Sequence, residues 1–190
     1  GSFPRTESGR YYPIQDKKGN ILANVCLSSK KDVRNAVVAA RKEFGGWAEK
    51  TAFNRGQILY RIAEMLDGRK AQFIEELIKQ GASKANAEKE VEQAVDCLVY
   101  YAGWADKYQQ IGSSVNPVSS SHFNFSALEP MGVIGIIAPQ QTSLIGLVKV
   151  IAPIICGGNT VIVAASETLT VFPPQMIGAI TLTRPISEVC

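Results

Sequence analysis

The sequence predicts an α/β protein in which a layer of helices precedes one parallel strand-helix-strand unit, and two observations lead there. Between Ser29 and about Gln110, apolar residues recur at steps of three and four, the spacing of a buried helical stripe. From Glu129 the pattern changes. Two short apolar runs, Val133–Ile137 and Thr160–Val163, flank an apolar helical segment from about Ser143 to Cys156. A strand, a helix and a strand in that order imply one right-handed crossover in a parallel sheet.

Ahead of the helices, Tyr11–Gln15 and Ile21–Cys26 read as short extended segments joined by Lys17-Lys18-Gly19-Asn20, which is good hairpin chemistry. Ser29 with Asp32 three residues on has the form of a capping box, and Val33, Ala36, Val37, Ala40 and Phe44 make the stripe that follows. Gly45-Gly46 is expected to close that helix. A second helix is predicted from about Phe53 to Leu66 on Ile58, Leu59, Ile62, Met65 and Leu66, and a third from about Arg69 to Gln80 on Phe73, Leu77 and Ile78. Gly68 and Gly81 punctuate them. A fourth, from about Ala85 to Gln110, carries Val91, Ala94, Leu98, Tyr101, Ala105 and Tyr108 as one continuous stripe. Its aromatic residues Tyr100, Tyr101, Trp104 and Tyr108 read as core and subunit-contact residues, not as a stacking platform for bases. Residues 112–128 lose the helical period and turn polar, with Phe123 and Phe125 alternating, as in a loop leading into an exposed strand. Pro139 breaks the first strand of the crossover, and Gly157-Gly158 stop its helix.

Composition bounds the function. With 190 residues, 46% of them hydrophobic and 19% charged, the chain can bury one sizeable core. Its net charge of +3 is spread along the sequence and leaves no footprint for nucleic acid. The longest apolar runs, such as Val148–Cys156, are interrupted by Lys149 and Pro153 and fall far short of the roughly 20 residues of a membrane span. The first residues carry no apolar segment for secretion, so cytoplasmic placement is expected. Cys26, Cys97, Cys156 and Cys190 lie 71, 59 and 34 positions apart, and His122 is the single histidine. That spacing builds neither a metal site nor a disulfide framework. No activating base stands beside any of the thiols, which are expected to be buried or incidental. His122 is expected at the surface of its Ser-rich segment.

One set of segments is more specific. Cys97-Leu98-Val99-Tyr100-Tyr101-Ala102-Gly103-Trp104-Ala105-Asp106-Lys107-Tyr108 is followed by Glu129-Pro130-Met131-Gly132-Val133-Ile134-Gly135, then by Ala152-Pro153 and Gly158-Asn159-Thr160-Val161. In order and spacing these segments resemble the aldehyde dehydrogenase superfamily over about residues 10–167. The resemblance implies that residues 1–111 are the N-terminal hairpin and helices of a cofactor domain and that 112–128 form an arm-like subunit contact. Residues 129–190 would then begin a Rossmann-like cofactor-binding sheet, incomplete relative to the family. The implied parent reaction is NAD(P)-dependent oxidation of an aldehyde to a carboxylic acid.

By position, the resemblance assigns cofactor contacts to Ile137, Ala138, Pro139, Gln140, Ser166 and Glu167. It places Gln141 where the family has the Asn whose amide stabilises the oxyanion. Gln141 keeps an amide but is one methylene longer, and an oxyanion donor tolerates little displacement. Ala164 stands where the family has a Lys that holds the adenosine ribose. Losing such a charge-assisted bond, worth roughly 1.5–3 kcal/mol, is expected to weaken NAD or NADP binding at least about tenfold. Cofactor binding in this chain is therefore expected to be weak or absent. Only four residues separate Glu167 from Phe172-Pro173-Pro174, which resembles the family segment before its next strand, and that strand would be Ile177–Leu182. A parallel crossover needs a dozen or more residues. Either that helix has been lost, or the tail is a different segment of coincidental similarity. The family's catalytic Cys, its general-base Glu and its Gly-x-Thr-x-x-Gly turn have no counterpart through residue 190, so the chain reads as truncated and inactive alone, a pseudoenzyme lacking the catalytic half. The alternative is a non-catalytic assembly subunit. The expected partners are further copies of the chain or a full-length dehydrogenase, with no nucleic acid and no membrane.

Overall fold

A computed structural model describes residues 6, 8–15 and 19–164. The N-terminal hairpin forms where the sequence places it. β1 (Tyr11–Gln15) pairs antiparallel with β2 (Ile21–Cys26) from Tyr11 opposite Cys26, with a register shift between Ile14 and Gln15. Gly19 takes the left-handed conformation that its turn requires, at φ +84°; Lys17 and Lys18 lie outside the described residues.

The helical layer follows. α1 (Lys30–Ala48) opens on the expected box: the Asp32 amide donates to Ser29 Oγ at 3.3 Å and the Ser29 amide to Asp32 Oδ2 at 2.7 Å. It does not stop at Gly45-Gly46. Two helical glycines cost only about 1 kcal/mol each, and the turn beyond them buries Trp47, whose indole Nε1 donates to Ile155 O at 3.1 Å. Tertiary packing therefore carries the helix past its local stop signal. α2 (Ala52–Gly68) is capped by Thr51, α3 (Lys70–Lys79) follows directly, and α4 (Lys84–Trp104) is capped by Ser83.

The predicted fourth helix is not continuous to Gln110. It breaks at residues 105–107, and a short α5 (Tyr108–Gly112) resumes. Ala105 and Lys107 donate to carbonyls only three residues back, which tightens the final turn, and Lys107 Nζ bonds Gly103 O, taking up a carbonyl at the helix end. Asp106, a poor helix former, stands in the break. The stripe is buried at Val91, Ala94, Leu98 and Ala105 but only half-buried at Tyr101 and Tyr108.

The polar segment after α5 makes two strands where one was expected. β3 (Ser114–Asn116) and β4 (Asn124–Ser126) pair antiparallel with Val115 opposite Phe125. The crossover then forms as the sequence predicts: β5 (Val133–Ile137), α6 (Leu144–Cys156) and β6 (Thr160–Ala164). The strands run parallel from Val133 opposite Thr160 to Ile137 opposite Ala164. α6 packs against α4 and α2 and also meets β6, while α1 contacts both strands of the crossover. The core between them is centred on Leu59, Phe73, Leu77, Val91, Leu144 and Val148, all fully buried. Among the described residues no helix is long and apolar enough to cross a membrane.

Candidate cofactor site

The sequence-predicted contacts that the structure describes gather at the carboxyl ends of β5 and β6. Open α/β sheets bind their ligands outside the carboxyl ends of the strands. The ladder continues one residue past β5, the Ala138 amide donating to Ala164 O at 2.9 Å, and stops at Pro139, which has no amide hydrogen. Ile137 ends the strand with 83% of its surface exposed. Ala138 is buried, while Gln140 and Gln141 are exposed on the turn that leads into α6. Among the described residues no hydrogen bond fixes the Gln141 side chain. Ser166 and Glu167 lie outside the described residues, as do Ile177–Leu182 and Cys190.

The turn folds back tightly over the first turn of α6 because residue 146 is glycine. A Cβ there would stand 2.2 Å from Thr142 Oγ1 and 3.3 Å from Pro139 Cγ. Ser143 Oγ donates to Gln80 Oε1 at 2.8 Å, tying the turn to the end of α3.

α6 is apolar almost throughout and has no acid in its first turn and no base in its last. The groups that complete its two ends come from other helices. At the N-terminus, Glu90 Oε1 on α4 accepts from the amides of Leu144 at 2.8 Å and Ile145 at 3.2 Å. At the C-terminus, Trp47 takes the Ile155 carbonyl, and Arg55 Nε donates to Cys156 O at 3.1 Å. Each charge has the sign that the helix dipole favours at its end. Arg55 is only 4% exposed, and its terminal nitrogens donate to Lys50 O, Ala48 O and Tyr108 Oη. Gly158, at φ +83°, leaves room beside it: a Cβ there would lie 2.9 Å from Pro130 Cγ and 3.5 Å from the Arg55 guanidinium.

Glu90 and Arg55 escaped the sequence reading. The available signal was a deficit: an apolar helix without polar ends needs caps, but nothing in its own sequence says which helix supplies them.

Among the described residues, no thiol has a hydrogen-bonded base beside it. Burial pushes the Cys156 thiol up, against the opposing pull of Arg55, and its Sγ donates to Tyr101 O at 3.3 Å. Burial likewise raises Cys97, with Lys149 pulling the other way, and Cys26 is exposed on β2. His122 is exposed and shares a hydrogen bond of 2.8 Å with Ser120 Oγ.

Comparison with known proteins supplies the family. The model of the aldehyde dehydrogenase family matches residues 4–181. An aldehyde dehydrogenase of Aspergillus niger is 33% identical over 171 residues, which are 88% of this chain and 34% of that protein. Aldehyde dehydrogenase, cytosolic 1 of Elephantulus edwardii is 34% identical over 167 residues, 84% of this chain and 32% of that one. Among solved structures, PnpE of Pseudomonas sp. WBC-3 in complex with nicotinamide adenine dinucleotide superposes with a TM-score of 0.89 at 23% identity. That match covers 96% of this chain and 38% of PnpE. The chain thus spans about a third of the length of the curated relatives it matches. Its β5-α6-β6 crossover and helical layer are those of the N-terminal portion of such a subunit, and the chain belongs to the aldehyde dehydrogenase family.

Proposed function

We propose that this chain provides the cofactor-facing part of an NAD(P)-dependent aldehyde dehydrogenase subunit, whose reaction oxidises an aldehyde to a carboxylic acid. The observation that carries this reading is the turn at the carboxyl ends of two parallel strands, where the exposed Ile137 and Gln140 leave an open edge for a planar ligand. The nicotinamide cofactor, when bound, supplies the hydride acceptor. In this chain Ile137, Ala138, Pro139 and Gln140 would lie along it, and Ser166 and Glu167 would meet its ribose. Gln141 would offer an amide toward the substrate oxygen. Ala164 has no polar group to give, so the adenosine end is weakly held. The parent reaction also requires a thiolate nucleophile and a base that activates water; among the described thiols Cys156 is buried, Cys97 is half-buried, and the exposed Cys26 stands on the β1–β2 hairpin, outside the β5–β6 sheet. We place the protein in the cytoplasm and take residues 112–128 as an arm for association with a second copy or a longer dehydrogenase.

Calorimetric titration of the chain with NAD and with NADP tests the reading. We expect saturable binding no tighter than about 1 mM, a free energy of only about 4 kcal/mol. Absence of saturable binding at several times that concentration would sink the cofactor reading and leave assembly as the chain's role. Micromolar binding would show that the loss of Lys at position 164 had been compensated elsewhere.

A further inference from the structure

We propose that Glu90 is a positioning residue for the cofactor-facing turn, an inference that rests on the cofactor reading above. It acts from α4 by fixing where α6 begins. The turn has six residues, 138 to 143, between the end of β5 and the first residue of α6. Its first residue is held by the strand ladder through the Ala138 amide and Ala164 O. Its far end has no cap of its own, because the Ser143 side chain makes no capping bond to α6. The Glu90 carboxylate does that work, receiving the first two amides of α6, and Ser143 Oγ is drawn the other way to Gln80. Glu90 is carried on a rigid support. Its neighbours on α4, Ala87, Val91 and Ala94, are fully buried, and α4 packs along α6. With both ends fixed and Gly146 letting Pro139 and Thr142 close over the helix, the exposed Gln140 and Gln141 have little freedom to move as a unit. A carboxylate receiving two amide hydrogens makes charge-assisted bonds, about twice as strong as neutral ones. It does so at the helix end where negative charge is favoured. The placement of the turn is thereby transferred from the sheet alone to the sheet and α4 together.

The test uses the 190-residue chain, amide hydrogen exchange, and amide chemical shifts during titration with NAD. Glu90→Ala should speed exchange at Leu144 and Ile145 at least about tenfold, as loss of a charged acceptor implies. It should also shift the amides of residues 138–143 and weaken NAD binding by about threefold or more at a temperature well below melting. Glu90→Gln keeps one acceptor oxygen and should recover most of both effects, whereas Lys89→Ala, an exposed change on the same helix, should produce neither. Should Glu90→Ala fail to fold, Glu90→Gln against the native chain still reads the smaller change in exchange. Unchanged exchange at Leu144 and Ile145 would overturn the proposal, and so would lost protection with undiminished NAD-induced shifts at Ala138 and Gln141. If the native chain shows no NAD-induced shift, the cofactor reading fails, and the exchange and chemical-shift arm alone decides whether Glu90 holds the turn.

Discussion

Cys156 and Cys97 show how burial sets reactivity residue by residue. Thiolate is the reactive form, and a pKa raised by burial lowers its fraction at neutral pH. The displacement is upward for both, so reactivity toward an alkylating agent should stay low at pH 7 and rise only at alkaline pH. Among the three described thiols, mass-spectrometric mapping after brief iodoacetamide treatment should find Cys26 modified first, Cys97 more slowly, and Cys156 only after unfolding. Rapid modification of Cys156 in the folded chain would contradict its placement under α4. The sequence anticipated incidental thiols because it showed no base beside them. It could not rank them, since ranking depends on which helices cover each one. Gln141 is similar: its identity was legible, whereas its exposed, unanchored side chain is a property of the turn around it.

At the scale of elements, α6 is the clearest case of structure supplied from elsewhere. Its hydrophobic run made its existence legible, and Gly157-Gly158 marked its end. Its caps lie 101 residues away in sequence at Arg55 and 54 and 55 residues away at Glu90, and only the packed structure brings them together. The same reason explains the two boundaries that local patterns missed. Buried Trp47 extends α1 through Gly45-Gly46, and the tight turn at 105–107 ends α4 although the apolar spacing runs on. Arg55→Gln should lower stability by about 2–4 kcal/mol, because carbonyls of Cys156 and Lys50 lose a charged donor in a buried setting. Arg55→Lys should recover only part of that, since an ammonium cannot reproduce the guanidinium fork. The midpoint of urea unfolding measures both, and a loss below about 0.5 kcal/mol for Arg55→Gln, the level of an ordinary surface change, would show that the α6 end does not need it.

For the whole molecule, the α/β class and the order of its elements were readable from the switch between helical and strand periods. The relation between layers was not, because α6 contacts α2, α4 and β6 at once. Large apolar side chains stand exposed among the described residues. Phe123 and Phe125 are 73% and 62% exposed on the β3–β4 hairpin with ring centroids 5.6 Å apart, and Tyr100 is exposed on α4. Exposed patches of this kind mark association surfaces. We therefore expect light scattering to give a mass above the 20.6 kDa of one chain at high concentration. Phe123→Ser with Phe125→Ser should shift the population toward monomer. A single 20.6 kDa species for the unaltered chain would refute this.

The cofactor reading is tested most directly by restoring what position 164 lacks. Ala164 ends β6 beside the Ala138 amide, so a lysine there projects from the carboxyl end of the strand pair where the cofactor is proposed to lie. Calorimetric titration of Ala164→Lys with NAD should show affinity at least about tenfold tighter than that of the unaltered chain, the worth of one charge-assisted hydrogen bond. An affinity unchanged by the substitution, in a variant that melts normally, would mean that the adenosine end of the site is not formed at the end of β6.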